Sequence, residues 1–168
     1  MNRTLSILGT SRQHGNTRLI LDAVLQGRAP VIDLNDHPLT PYDYTHQNGS
    51  DGFLGIARQL VEADTLVFAT PVYWYSMSAQ LKTFLDRLTD LTRVHKALGR
   101  AFKGKSLFLV ASSSSPELPP GFVAPFELTA EYFDMRWGGA FHAYFEADLV
   151  LSAEVEAQAG AFGQVIFP

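Results

Sequence analysis

Three consecutive aromatics, Tyr73-Trp74-Tyr75, stand in the segment Thr70-Pro71-Val72-Tyr73-Trp74-Tyr75-Ser76-Met77-Ser78. A buried-type apolar run, Thr65 to Ala69, precedes it, and an amphipathic helical pattern, Gln80 to Leu88, follows. Rings of this size are costly to leave in water. The carboxyl end of a strand is also where open α/β sheets bind ligands. This segment suits the gripping of a planar, largely apolar molecule. The plain alternatives are that the rings cap the core or form a subunit contact, since Tyr and Trp are enriched in interfaces.

A second group lies near the start of the chain. Leu5-Ser6-Ile7-Leu8 reads as a buried strand, Gly9-Thr10-Ser11-Arg12-Gln13-His14-Gly15-Asn16-Thr17 as a loop. Leu19, Ile20, Ala23 and Val24 then recur at helical spacing, with Gly27 as a stop. A hydroxyl- and glycine-rich loop running into a helix N-terminus makes an anion site, because free N–H groups and the helix dipole both favour a phosphate. The candidate phosphate ligands are the hydroxyls of Thr10, Ser11 and Thr17, the Arg12 guanidinium, and backbone N–H groups near Gln13 and Asn16. An ordinary βα turn would use hydroxyls and Asn as caps too. The loop matches neither G-x-x-x-x-G-K-[ST] nor G-x-G-x-x-G, and His14 reads as a solvated loop residue. A serine run, Ser112 to Ser115, ends a later strand, and Ser112 and Ser113 are candidate contacts there. A flexible turn is the plain alternative.

These segments resemble the NADPH-dependent FMN reductase family of flavodoxin-like proteins. Gly9-Thr10-Ser11-Arg12 through Gly15-Asn16-Thr17 is similar to that family's G-S-x-R-x-x-G-N-T phosphate loop. Pro71 to Ser78 with Gln80-Leu81-Lys82, Phe84 and Asp86-Arg87 is similar to its flavin-ring loop and following helix. The likeness continues through Leu128-Thr129-Ala130-Glu131-Tyr132 and Trp137-Gly138-Gly139-Ala140-Phe141. It implies bound FMN, with NADPH or NADH as co-substrate. Backbone groups from Pro71, Val72, Tyr73, Trp74 and Tyr75 would meet the pyrimidine edge, and the aromatics would flank the dimethylbenzene end. Hydride would pass from nicotinamide to flavin N5, and electrons then to a small acceptor such as a quinone, a flavin, an azo compound or a metal oxyanion. No side chain need act as acid or base, because the cofactor carries the chemistry. A homodimer with the flavin near the interface is implied as well, with Trp74 or Tyr75 reaching the partner. The family often has glycine where this chain has its serine run, which leaves the contacts there open.

The elements that must hold these loops alternate. Strands are expected at about 4–8, at Val31-Ile32-Asp33-Leu34, at Thr65 to Ala69, at Ser106 to Ala111 and at about Ala140 to Phe145. Helices are expected at about 16–26, after a capping Asp51 with Leu54, Ile56, Leu60 and Val61 buried, at Gln80 to Leu88, at Ala124 to Asp134, and after Ser152. Asn35 to Asp51 reads as a long loop. Trp137-Gly138-Gly139 opens the last strand, where the glycines allow a bulge or close backbone approach. His142 reads as a satisfied core or edge histidine, and Asp86 with Asp90 as a solvated helix face. This alternation implies a parallel α/β sheet covered on both sides. The resemblance implies a flavodoxin-like three-layer α/β/α sandwich of order 2-1-3-4-5, whose switch point lies between strands one and three.

Bulk properties narrow the function. With 168 residues and 46% hydrophobic content, the chain suits one domain with a single core. Thirteen basic against seventeen acidic residues give −4, with no basic cluster standing out, which argues against nucleic acid. The absence of cysteine excludes disulfides, thiolate nucleophiles, thiolate zinc sites and cysteine-bound iron–sulfur clusters. No metal-ligand spacing is evident, no apolar run approaches the ~20 residues of a membrane span, and Met1-Asn2-Arg3-Thr4 carries no signal-peptide pattern. A cytoplasmic location is expected. Two other functions fit the same residues: a flavodoxin-type electron carrier between proteins, though such carriers are usually strongly acidic, and a flavodoxin-like module without flavin.

Overall fold

The computed structural model describes residues 2–168. Met1 lies outside the described residues. Strands β1 (Thr4–Leu8), β2 (Val31–Asp33), β3 (Thr65–Pro71), β4 (Ser106–Ser113) and β5 (Arg136–Tyr144) form one sheet of order β2-β1-β3-β4-β5. All four pairings are parallel. The helices are α1 (Asn16–Leu25), α2 (Phe53–Val61), α3 (Ala79–Arg93), α4 (Lys96–Arg100), α5 (Ala124–Tyr132) and α6 (Ala153–Ile166). This is the flavodoxin-like fold, with β1 and β3 adjacent at the switch point.

Strand alternation builds the layers. Leu5, Ile7, Leu66, Phe68, Leu107 and Leu109 join Phe53, Ile56 and Leu60 of α2, Leu81, Phe84 and Leu88 of α3, and Phe126 of α5. On the other face Leu8, Val67, Phe108 and Val110 meet Ile20, Leu21 and Val24 of α1 and Ala159 and Ile166 of α6. Each fully buried large side chain contributes about 1.5–3 kcal/mol by leaving water. That is why the short strands can be apolar on both faces.

Several boundaries differ from the sequence expectation. β2 stops at Asp33, and Leu34–Asp36 turn as a short 3-10 helix because the Asp33 side chain accepts from the Asn35 N–H. α3 runs on to Arg93, and α4 is an extra short helix. Phe53 and Ala57 join Ile56 and Leu60 on the buried side of α2, while Leu54 and Val61 are only partly buried. The N-cap of α2 is Gly52 rather than Asp51, although the Asp51 carboxylate still accepts from the Phe53 N–H, at 3.0 Å. β5 begins at Arg136 because a register shift opposite Leu107/Phe108 absorbs one residue. Gly138 is required there, since a Cβ would overlap the Phe108 ring, and Gly139 follows at φ 112°.

Asp90 is the main correction. Asp86 is solvated and pairs with Lys82, but Asp90 is buried. It accepts from Arg87 Nε at 2.7 Å and lies 2.7 Å from His46 Nδ1. Arg87 also donates to Asp51 Oδ2 at 2.5 Å, to the Thr40 carbonyl at 3.0 Å and to the Asn48 carbonyl at 3.2 Å. Its guanidinium lies 4.8 Å over the Phe53 ring. This cluster pins the long segment between β2 and α2 to α3. Burial by itself would raise the Asp51 carboxyl, but its bonds to Arg87, Thr40 and Phe53 outweigh that and hold it at about 2.

Candidate functional site

The loops after β1 and β3 leave adjacent strands at the same end of the sheet. Gly9 lets the first turn of α3 come close, since a Cβ there would sit 2.6 Å from Leu81 Cβ. Ser78 ties the two loops together. It caps α3 by accepting from the Leu81 N–H at 3.1 Å, and it donates to the Gly9 carbonyl at 2.7 Å. Its own N–H donates to Thr70 Oγ1 at 3.0 Å.

The N-cap of α1 is Gly15, which has no side chain to offer, and the first turn holds no acid. Among the described residues no acceptor meets the N–H groups of Asn16, Thr17 and Arg18. They border a cavity of about 330 Å³ lined by Thr10, Arg12, Asn16, Thr17, Pro71, Val72, Tyr73, Ser112 and Ser113, with Phe145 and Asp148. Nine of the sequence candidates therefore meet in one place. Ser11 stands beside them, its hydroxyl 2.7 Å from the Tyr73 hydroxyl. Thr17 Oγ1 and Ser112 Oγ, both buried, are 2.7 Å apart and join the start of α1 to the end of β4. Gln13 is exposed and outside the cavity lining.

The aromatic segment is a tight turn. Tyr73 and Ser76 exchange both backbone hydrogen bonds, at 2.8 and 3.1 Å. Trp74 and Tyr75 between them have φ of 47° and 66°, the sign pattern of a type I′ turn. Left-handed non-glycine residues are strained by about 1–3 kcal/mol. Trp74 is 92% exposed and Tyr75 73% exposed, so no burial offsets that strain. One sequence expectation is corrected here. The Val72 N–H is taken by the Ser112 carbonyl at 2.8 Å and the Tyr73 N–H by Ser76, so from Pro71 to Tyr75 the amides that meet no acceptor among the described residues are those of Trp74 and Tyr75. Val72, Ser113 and Ser114 lead from the first cavity into a second of about 480 Å³, walled by Trp74, Tyr75 and Glu117 to Pro120.

Ser113 is held from behind. Its Oγ donates to the Ser115 carbonyl at 2.7 Å and accepts the Ser115 N–H at 3.2 Å. With its one proton spent, it accepts from His142 Nε2 at 2.8 Å. His142 is thus a satisfied histidine of the edge strand, and burial lowers its pKa below the usual histidine value.

Sequence reasoning missed three contributors. Asp148 Oδ2 accepts from Arg12 NH1 at 2.6 Å. The Leu149 N–H donates to Asn16 Oδ1 at 2.7 Å. Asn35 Nδ2 donates to the Thr10 carbonyl at 2.7 Å. Each partner is distant in sequence and sits in no motif.

The donor set fits a phosphate: hydroxyls, one guanidinium and an uncapped helix N-terminus. The broad cavity beside it, walled by rings and by serines, fits a planar ring system. The profile of the NADPH-dependent FMN reductase family matches residues 2–118 of the chain. The chain belongs to that family. Among its relatives, the putative NAD(P)H-dependent FMN-containing oxidoreductase YwqN of Bacillus subtilis strain 168 is 35% identical over 94 residues. That match covers 52% of this chain, which spans about half of YwqN, 52%. The glutathione-regulated potassium-efflux system ancillary protein KefG of Pectobacterium carotovorum is 32% identical over 155 residues, covering 84% of this chain and 81% of KefG. The Trp repressor binding protein from Bacillus subtilis has the same fold, with a TM-score of 0.78 at 21% identity over 95% of this chain and 97% of the other.

Proposed function

We propose that this chain is an FMN-dependent NAD(P)H oxidoreductase that delivers electrons to a small acceptor. The observation that carries this is the convergence of an uncapped, hydroxyl-lined helix N-terminus and a strained, exposed aromatic turn on one crevice at the switch point. When bound, FMN supplies a hydride acceptor at N5 for the nicotinamide and then an electron donor for a quinone, flavin or similar molecule.

The chain's own residues bind and orient. Thr10, Ser11, Arg12 and Thr17, with the N–H groups of α1, would hold the phosphate. The Trp74 and Tyr75 amides are the free donors for the ring's polar edge, and Val72 with the Tyr73 ring would line its apolar side. Ser112 and Ser113, fixed by Thr17 and His142, would form the far wall. No side chain need act as acid or base, because the cofactor would carry the chemistry. The second cavity, open beside the first, would admit donor and acceptor in turn, which predicts ping-pong kinetics. The adjacent exposed rings of Trp74 and Tyr75 would offer a surface for a second copy of the chain. Such a homodimer would work in the cytoplasm.

The test is an anaerobic titration of FMN-reconstituted protein with NADPH and then NADH, followed by visible absorbance. Rapid bleaching is expected, and the faster donor sets the preference. Flavin bound without bleaching would make the protein an electron carrier, and no flavin binding even with free FMN in excess would make it a non-enzymatic module.

A further inference from the structure

Arg12 is the only basic residue on the 330 Å³ cavity and Asp148 the only acidic one. They are paired, NH1 to Oδ2 at 2.6 Å, with side chains 61% and 56% exposed. Asp148 belongs to the segment between β5 and α6, and the Leu149 bond to Asn16 holds that segment against the start of α1. The segment's ends, Phe145 and Leu151, pack on the core, but burial does not hold the stretch between them. Leu149 has φ of 58°, and its side chain and that of Val150 are 51% and 63% exposed. A leucine in the left-handed region is uncommon and strained. Two polar contacts therefore keep a strained segment in place, and they bring a carboxylate to the mouth of an uncapped helix N-terminus. The field and the guanidinium that would attract a phosphate attract this carboxylate.

We propose that Asp148 is an internal competitor for the ligand's phosphate, tuning the site toward exchangeable rather than permanent FMN. The proposal rests on phosphate binding at α1. A dianion entering the cavity must take Arg12 from Asp148 or share it, and in both cases the carboxylate's charge opposes the phosphate's. The effect belongs to the phosphate alone, so Asp148 compresses the difference between FMN and riboflavin. Both partners are partly solvated, which bounds the effect at about fivefold.

The experiment is a flavin-fluorescence titration with FMN and with riboflavin, on the full chain and its variants. Asp148→Asn and Asp148→Ala should bind FMN about twofold to fivefold more tightly, with riboflavin unchanged. Asp148→Glu, which keeps the charge, should stay close to the parent. In an Arg12→Ala background the gain from Asp148→Asn should shrink, because no guanidinium is left to release. Suppose Asp148→Asn leaves FMN affinity unchanged or weakens it, while Arg12→Ala with Thr17→Ala still lowers FMN relative to riboflavin. Competition is then wrong, phosphate binding at α1 stands, and weakening would make Asp148 a positioning residue for Arg12. If neither set of variants changes FMN relative to riboflavin, phosphate binding at α1 fails and the proposal goes with it.

Discussion

Two arginines in this molecule make opposite use of the same side chain. Arg87 is 1% exposed and its donors are shared among two carboxylates, a hydroxyl and two carbonyls. Arg12 is 61% exposed and has one partner, a surface carboxylate. A buried guanidinium is tolerated only when its donors are satisfied and its charge is balanced, so Arg87 is a closed structure with nothing left to offer. Arg12 keeps most of its donors free beside a helix whose first N–H groups are also free. Binding capacity at this site is read from what has been left unpaired.

The comparison is broken most severely at Arg87. Arg87→Met should lower the unfolding free energy by about 3–5 kcal/mol, because it strands Asp51 and Asp90 as buried, uncompensated charges. Any folded fraction should keep the parent's ratio of FMN to riboflavin affinity. Denaturant unfolding and flavin titration together check both halves. At the open site the pattern reverses. Arg12→Ala with Thr17→Ala should weaken FMN by about tenfold to a hundredfold through lost charge-assisted hydrogen bonds, while stability changes by only about 1 kcal/mol. Unchanged FMN affinity would remove that loop from the site.

Acid sharpens the contrast further. The Asp51 carboxyl is held at about 2, below its ordinary 3.8, so its contribution is fully present above pH 3.8 and drains as pH falls toward 2. Urea midpoints measured from pH 5 downward should fall over that interval. Asp51→Asn should be less stable throughout and should flatten that slope. The smallest effect is expected at the aromatic turn. Trp74→Gly removes a left-handed side chain with little packing to lose, and should raise stability by up to about 1 kcal/mol. It should weaken flavin binding nonetheless, and calorimetry with a titration separates the two.

How much of this the chain shows before folding also divides along the same line. The strands, the two candidate loops and the switch point are local patterns, and nine candidate residues do line one cavity. The Arg87 cluster was not legible, because Asp90 lies four residues from Asp86 on an amphipathic helix and only Asp51 and His46, far along the chain, show that it is buried. The pairing of Arg12 with Asp148 spans 136 residues and follows no period. The bulge at Gly138 was foreseeable as a glycine feature, but the strand's earlier start follows from the fit of Phe108 against it. Local chemistry announces itself in sequence, whereas satisfaction of a charge by distant partners does not.

Ser78 carries a last implication. One residue caps α3, donates its hydroxyl to the Gly9 carbonyl and its N–H to Thr70, so the loop after β1 and the aromatic turn share a single anchor. The two ends of a ligand bridging them would be gripped by one rigid body rather than by two independent clamps. Damage at one end should then be felt at the other: paired substitutions in the two loops would depart from additivity, and the departure should vanish once Ser78→Ala uncouples them.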